Sequence, residues 1–122
     1  MQEKQVLLQQ LNERFQYLQQ KVKLLEHQLG ELRDVKASVE NVSSEDMLFP
    51  LGAGVFIRGK KMEENLLMNV GRNVLVEKDP SEVLDTVNHQ ISRLEEVSGN
   101  INEELGELVS QIQMLQIELQ NA

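Results

Sequence analysis

Met47–Lys78, MLFPLGAGVFIRGKKMEENLLMNVGRNVLVEK, decides how this chain folds. It is rich in Gly and in short apolar alternations, and a long heptad segment leaves it on each side. In Gly54–Gly59, Val55 and Ile57 fall on one face and Phe56 on the other. Leu66, Met68 and Val70 share a face, as do Val74 and Val76. Period-two runs bounded by Gly, Asn and charged residues are the mark of strands and hairpins. The pattern predicts strands over Met47–Leu51, Val55–Arg58, Leu66–Val70 and Val74–Lys78. The joins are Gly52-Ala53-Gly54, the stretch from Gly59 to Asn65, and Gly71-Arg72-Asn73, where Gly supplies the positive φ of tight turns. Pro50 cannot donate to a ladder, so its strand is an edge or begins irregularly. Four such short strands cannot close a core alone, and isolated hairpins are marginal in water. Apolar residues nevertheless stand on both faces, as in Leu66-Leu67-Met68 and Val74-Leu75-Val76. The expectation is a sheet shared between subunits, with Leu51, Val55, Phe56, Ile57, Leu67, Val70, Val74 and Val76 at the assembly interface.

Outward from this stretch, residues 1–46 carry a seam of Leu8, Leu11, Phe15, Leu18, Val22, Leu25, Leu29, Leu32, Lys36 and Val39. The steps alternate between three and four, and Lys36 is the single polar member. With Leu8 at position a this is a coiled-coil heptad pattern, predicted to end near Ser43-Ser44. Residues 80–122 carry a second seam: Leu84, Val87, Ile91, Leu94, Ser98, Ile101, Leu105, Leu108, Ile112, Leu115 and Leu119. Asp79-Pro80-Ser81-Glu82 opens it, with Asp79 as N-cap and Pro80 at the first helical position. Gly30, Gly99 and Gly106 all land at b, off the seam. Two arms of nearly equal length with matching seams predict an antiparallel two-helix coiled coil. The fold class is therefore α+β, a single domain made of a helix (1–46), a four-stranded two-hairpin region (47–79) and a helix (80–122). Facing positions are expected to sum to about 126, which puts Lys21 near Glu104 and Arg33 near Glu95.

Composition narrows the function. The chain has 122 residues, 3% aromatics, no Trp and no Cys, which removes disulfides and thiolate chemistry. No apolar run approaches the roughly 20 residues of a membrane span, and MQEKQVLLQQ is not laid out as a secretory signal. The expectation is a soluble cytoplasmic protein without a membrane partner. Net charge is −8. Residues 80–122 hold eight acidic groups against Arg93 alone, an arm that repels phosphate backbones and disfavours nucleic acid. His27 and His89, the two histidines, fall at solvent-facing f positions, so no metal site is expected. Gly52-Ala53-Gly54 lacks the spacing of a nucleotide loop, and no GxxxxGK[ST] occurs. Glu95-Glu96 and Glu103-Glu104 read as a solvated helix face. No nucleophile or acid–base constellation remains; the reading is a non-enzyme without a cofactor.

One departure from heptad logic stands out. Positions f should be polar, yet Val6 and Ile117 are apolar, and both lie at the free ends of the arms. Leu7 at g and Met114 at c add to them, among uncharged Gln residues. Exposed apolar patches mark interaction sites, so Val6, Leu7, Leu8, Leu11, Met114, Leu115, Ile117 and Leu119 are the candidate binding residues. The alternatives are frayed ends or a contact with another coil.

The run Phe49-Pro50-Leu51-Gly52-Ala53-Gly54-Val55-Phe56-Ile57, followed by Met68-Asn69-Val70-Gly71 and Val74-Leu75-Val76-Glu77-Lys78, resembles the alpha class of prefoldin subunits. Four central strands rather than two also separate the alpha from the beta class. The resemblance implies a hexamer of two alpha and four beta subunits, with paired β-barrels and six hanging coiled coils. It further implies capture of unfolded client proteins at the coil tips without ATP, and their delivery to a cytosolic group II chaperonin. A purely structural coiled-coil oligomer or filament is the competing expectation; a helical arm for RNA is disfavoured by the acidic second helix.

Overall fold

The structure, a computed structural model, describes residues 2–42 and 46–121. Its elements run α1 (Gln2–Glu40), β1 (Met47–Gly52), β2 (Val55–Gly59), β3 (Leu66–Asn69), β4 (Leu75–Lys78) and α2 (Pro80–Gln120). The chain divides into two compact units, Met1–Glu31 with Ile91–Ala122, and Leu32–Gln90. Each is described in turn.

In the first unit α1 and α2 pair along the expected seam. Leu18, Val22, Leu25, Ile101 and Leu108 form the buried cluster, with Leu11, Phe15, Leu94 and Leu105 packed against it. Every heptad a and d residue named above, in this unit and in the second, is buried or half-buried, Lys36 and Ser98 included. A two-helix layer has no second layer to hide behind, so burial of this narrow stripe supplies most of the driving force. Gly99 and Gly106 stand in open space on the solvent side.

One flanking pair differs from expectation. Glu104 Oε1 accepts from Arg14 Nε at 3.1 Å and lies 3.1 Å from Arg14 Nη2, one heptad before Lys21. Lys4 Nζ sits 3.2 Å from Glu118 Oε2. Lys4 with Glu118, and Leu11 with Leu115 in one groove, keep the helices close to the expected register, so the long Arg14 side chain takes the Glu104 contact expected of Lys21 without a slide of the helices. The flanking pairs are half-exposed and each contributes about 0–1 kcal/mol.

The second unit holds the hairpins and the start of α2. Asp79 caps α2 as its residue type demands: its Oδ1 accepts from the Glu82 N–H at 2.8 Å, and its carbonyl accepts from the Val83 N–H at 3.1 Å. Val83 and Val87 are buried. Val83 precedes the predicted seam and was outside it. The expected end of the first helix at Ser43-Ser44 lies outside the described residues; α1 itself stops at Glu40.

Strands β1 and β2 pair antiparallel, with Met47 opposite Gly59, Phe49 opposite Ile57 and Pro50 opposite Phe56. Leu51 is then left over before Gly52 meets Val55, a bulge of one residue. The turn is thereby two residues, Ala53-Gly54, both left-handed (φ 51° and 78°), rather than the three-residue join expected. That is the handedness which matches hairpin twist. The Phe49 ring lies across Gly59, where a Cβ would come within 2.9 Å of Phe49 Cε2. Strands β3 and β4 pair Leu66 with Lys78 and Met68 with Val76. Val70 and Val74, expected inside strands, flank the turn instead; the Val70 N–H donates to the Val74 carbonyl at 3.0 Å. The Val74 N–H donates to the Gly71 carbonyl at 2.9 Å, and Arg72 and Asn73 between them have φ of 51° and 61°. Both central residues are left-handed, which makes this a type I′ turn. Asn69 Oδ1 steadies it by accepting from the Gly71 N–H at 2.9 Å.

The four strands form two separate two-stranded sheets, β1-β2 and β3-β4. Within one chain they close no barrel.

Candidate functional site

The first candidate surface lies where the N-terminal turns of α1 meet the C-terminal turns of α2. Heptad geometry sends Val6 and Ile117 away from the seam, and they are 53% and 57% exposed. Leu7 and Met114 are exposed as well. Leu7, Leu11, Met114 and Leu115 line an open groove between the helices, rimmed by Gln111 and Glu118. Gln2, Glu3, Val6, Leu7 and Gln10 line a second shallow hollow on α1. Leu7 belongs to both, which makes it the hinge of the surface. Ile117 is among the lining residues of neither. Leu8, Leu11 and Leu119 are half-buried and Leu115 is buried. These four face the opposite helix; Leu11 and Leu115 form the floor of the groove rather than its exposed rim. The Lys4–Glu118 ion pair lies at the groove's edge.

Such a surface offers apolar contact without directional chemistry. Leu and Met side chains on a helical frame accept many shapes, and Met in particular adapts to irregular partners. The flanking Gln residues can exchange hydrogen bonds with any backbone they meet.

The second candidate surface is the pair of hairpins. Leu51, Val55, Phe56, Ile57, Leu67, Val70, Val74 and Val76 are all exposed in the single chain, on both faces of the strands. Each sheet has two strands, so every strand has a free hydrogen-bonding edge. Apolar faces and open edges together form a template for strands of another chain.

Among the described residues, five large exposed apolar side chains on the helices lie outside the surface expected from the sequence. Tyr17 and Leu24 occupy c positions, Val35 and Val97 g positions and Val109 an e position, all more than a third exposed. Extending the test for apolar residues from f to c, e and g finds them. The Arg14 guanidinium lies 5.6 Å from the Tyr17 ring centroid and covers part of it.

His27 Nε2 pairs with Glu31 Oε1 at 3.0 Å on an exposed helix face, and His89 is exposed. Among the described residues no group of three or more His, Asp or Glu is placed to hold a metal ion. No described helix is long and apolar enough to cross a membrane. Gly52-Ala53-Gly54 closes a hairpin and opens no helix, so it offers no phosphate cradle.

Two long paired helices joined through two hairpins, with apolar strand faces exposed in the single chain, define a two-helix coiled-coil protein with a central two-hairpin region. The Prefoldin subunit family model matches residues 11–122, and the chain belongs to the prefoldin family. Its curated relatives are alpha subunits, in keeping with the four central strands. One, from Archaeoglobus fulgidus, is 32% identical over 123 residues, covering 97% of this chain and 90% of that protein. Another, from Methanococcus aeolicus, is 31% identical over 115 residues, covering 93% and 80%. The fold is similar to that of a filamentous PFD from Methanocaldococcus jannaschii, seen by cryo-EM. The TM-score is 0.76 at 19% identity, over 97% of this chain and 99% of that one. Prefoldin is a chaperone family whose subunits form oligomeric complexes.

Proposed function

We propose that this chain is a holdase subunit that captures unfolded proteins at the paired helix ends, without ATP, and passes them to a group II chaperonin. The observation that carries the reading is the exposed apolar rim of Val6, Leu7, Met114 and Ile117, which packing within the chain does not explain. An unfolded chain exposes apolar segments that this rim can cover. Each contact is weak, and several arms held on one platform add them into useful avidity. The platform in this reading is a β-barrel, built when Leu51, Val55, Phe56, Ile57, Leu67, Val70, Val74 and Val76 meet strands of prefoldin beta subunits in a hexamer of two alpha and four beta chains. Its setting is the cytoplasm. The test is aggregation of a chemically denatured client, diluted into buffer with the purified assembly and no nucleotide. The reading expects suppression at near-stoichiometric assembly; unchanged aggregation refutes it.

A second reading is a structural filament, favoured by the filamentous state of the cryo-EM neighbour. It expects concentration-dependent fibres under the electron microscope and no suppression in the same assay.

A further inference from the structure

We infer that Met114 is an oxidation site through which peroxide switches off the groove at the helix ends. The inference rests on the proposed capture function. Met114 is 64% exposed and lines the groove with Leu7, Leu11 and Leu115. Its thioether is therefore open to solvent and also part of the apolar contact surface. Met47 and Met68 are half-buried, and Met62 is 96% exposed in the segment between the two hairpins. Among the described residues exposure thus predicts two fast sulfurs, Met62 and Met114, of which Met114 alone lies in the groove. That pairing supplies its own internal control.

The chemistry needs no catalyst. A sulfur lone pair attacks one oxygen of hydrogen peroxide, the S–O bond forms as the O–O bond breaks, and the departing oxygen leaves as water after proton transfer. The thioether is oxidised by two electrons and the peroxide is reduced. The product, methionine sulfoxide, is a polar and chiral side chain, and the change is reversible by sulfoxide reductases. In the groove it sets an S–O dipole among leucines, where a client's apolar side chain must displace the water it binds without replacing that hydrogen bond. Glu118 on the rim brings no donor for the new oxygen, and the Gln111 amide, which can donate to it, would hold a second polar group over the groove. Client contact weakens while the seam, to which Met114 does not belong, stays packed.

The test treats the assembled protein with limiting hydrogen peroxide. Sulfoxide is located by peptide mass spectrometry, and aggregation suppression is compared with each variant's own untreated form. Met114 and Met62 are expected to oxidise before Met47 and Met68. Suppression by the wild type should fall several-fold in proportion to Met114 sulfoxide, and return after treatment with reductases for both sulfoxide epimers. Met62→Leu should lose suppression as the wild type does, whereas Met114→Leu should keep its own untreated level. Met114→Gln, a polar stand-in, should resemble the oxidised wild type with helicity unchanged. Equal loss in treated Met114→Leu, or full Met114 oxidation with no loss, overturns the inference. Leu7→Glu separates the two proposals: if it abolishes capture while Met114 oxidation does not, the groove stands and the switch fails. If neither matters, the capture surface itself is misplaced.

Discussion

Leu24 and Leu25 are adjacent in one helix, yet 58% and 8% exposed. Replacing each by Ala changes helix propensity by the same small amount, so the difference between the two variants isolates burial in the seam. Leu25 belongs to the buried cluster with Leu18, Val22, Ile101 and Leu108. Its truncation removes the transfer energy of the side chain and leaves a cavity, about 2–5 kcal/mol in all. The lower half of that range applies, because a two-helix layer can close partly over a hole. Leu24 at position c loses only surface contact, within about 0.5 kcal/mol. For a chain of this length about 1 kcal/mol moves Tm by roughly 3–5 °C. Leu25→Ala should therefore melt on the order of 10 °C below Leu24→Ala, followed by far-ultraviolet circular dichroism at fixed protein concentration. Equal melting temperatures would refute the pairing of α1 with α2 along this seam.

Asp79→Ala removes the acceptor of the Glu82 N–H and should cost about 1 kcal/mol, read as a lower urea midpoint with unchanged m-value; no change would mean the cap is dispensable. Arg72→Asn puts a residue that tolerates left-handed backbone into the β3–β4 turn and should stabilise that hairpin by about 0.5–1 kcal/mol. Slower exchange of the Val70 amide would show it, and faster exchange would contradict it. Ile57→Asp and Val70→Asp leave the isolated chain helical, since both side chains are exposed there. Buried in a shared sheet, the charge costs several kcal/mol, so native mass spectrometry should find the variants dissociated from partner subunits; intact assemblies would remove the hairpins as the platform.

The parts legible in the sequence were those set by local rules. The a and d positions of both arms were readable to the residue because burial in a helix pair follows one period. The Asp79-Pro80 start was readable because capping is local chemistry. The hairpins were readable from alternation and Gly, but their details were not. Leu51 had to bulge for a two-residue turn to close, and alternation does not report a single inserted residue. Arg72 looks like a poor left-handed residue, and only the closed β3–β4 register places it there. The choice of Arg14 over Lys21 as the partner of Glu104 was illegible because both lie at g, one heptad apart, within reach of a long side chain. Val83 escaped because it lies before the first regular seam residue. At the helix ends the sequence marked Val6, Leu7, Met114 and Ile117, whereas the groove that joins Leu7 to Met114 and leaves Ile117 out depends on side-chain placement, which a heptad pattern does not report.

The claim that matters most is that apolar side chains at the helix ends hold unfolded protein. Val6→Glu combined with Ile117→Glu tests it most directly, because neither residue is in the seam and the pair carries no packing role. Measured at equal assembly concentration against a denatured client, the double variant should suppress aggregation far less than the wild type. Its native mass, helicity and melting temperature should remain those of the wild type. Full suppression by a correctly assembled double variant would contradict the account and move client capture elsewhere in the complex.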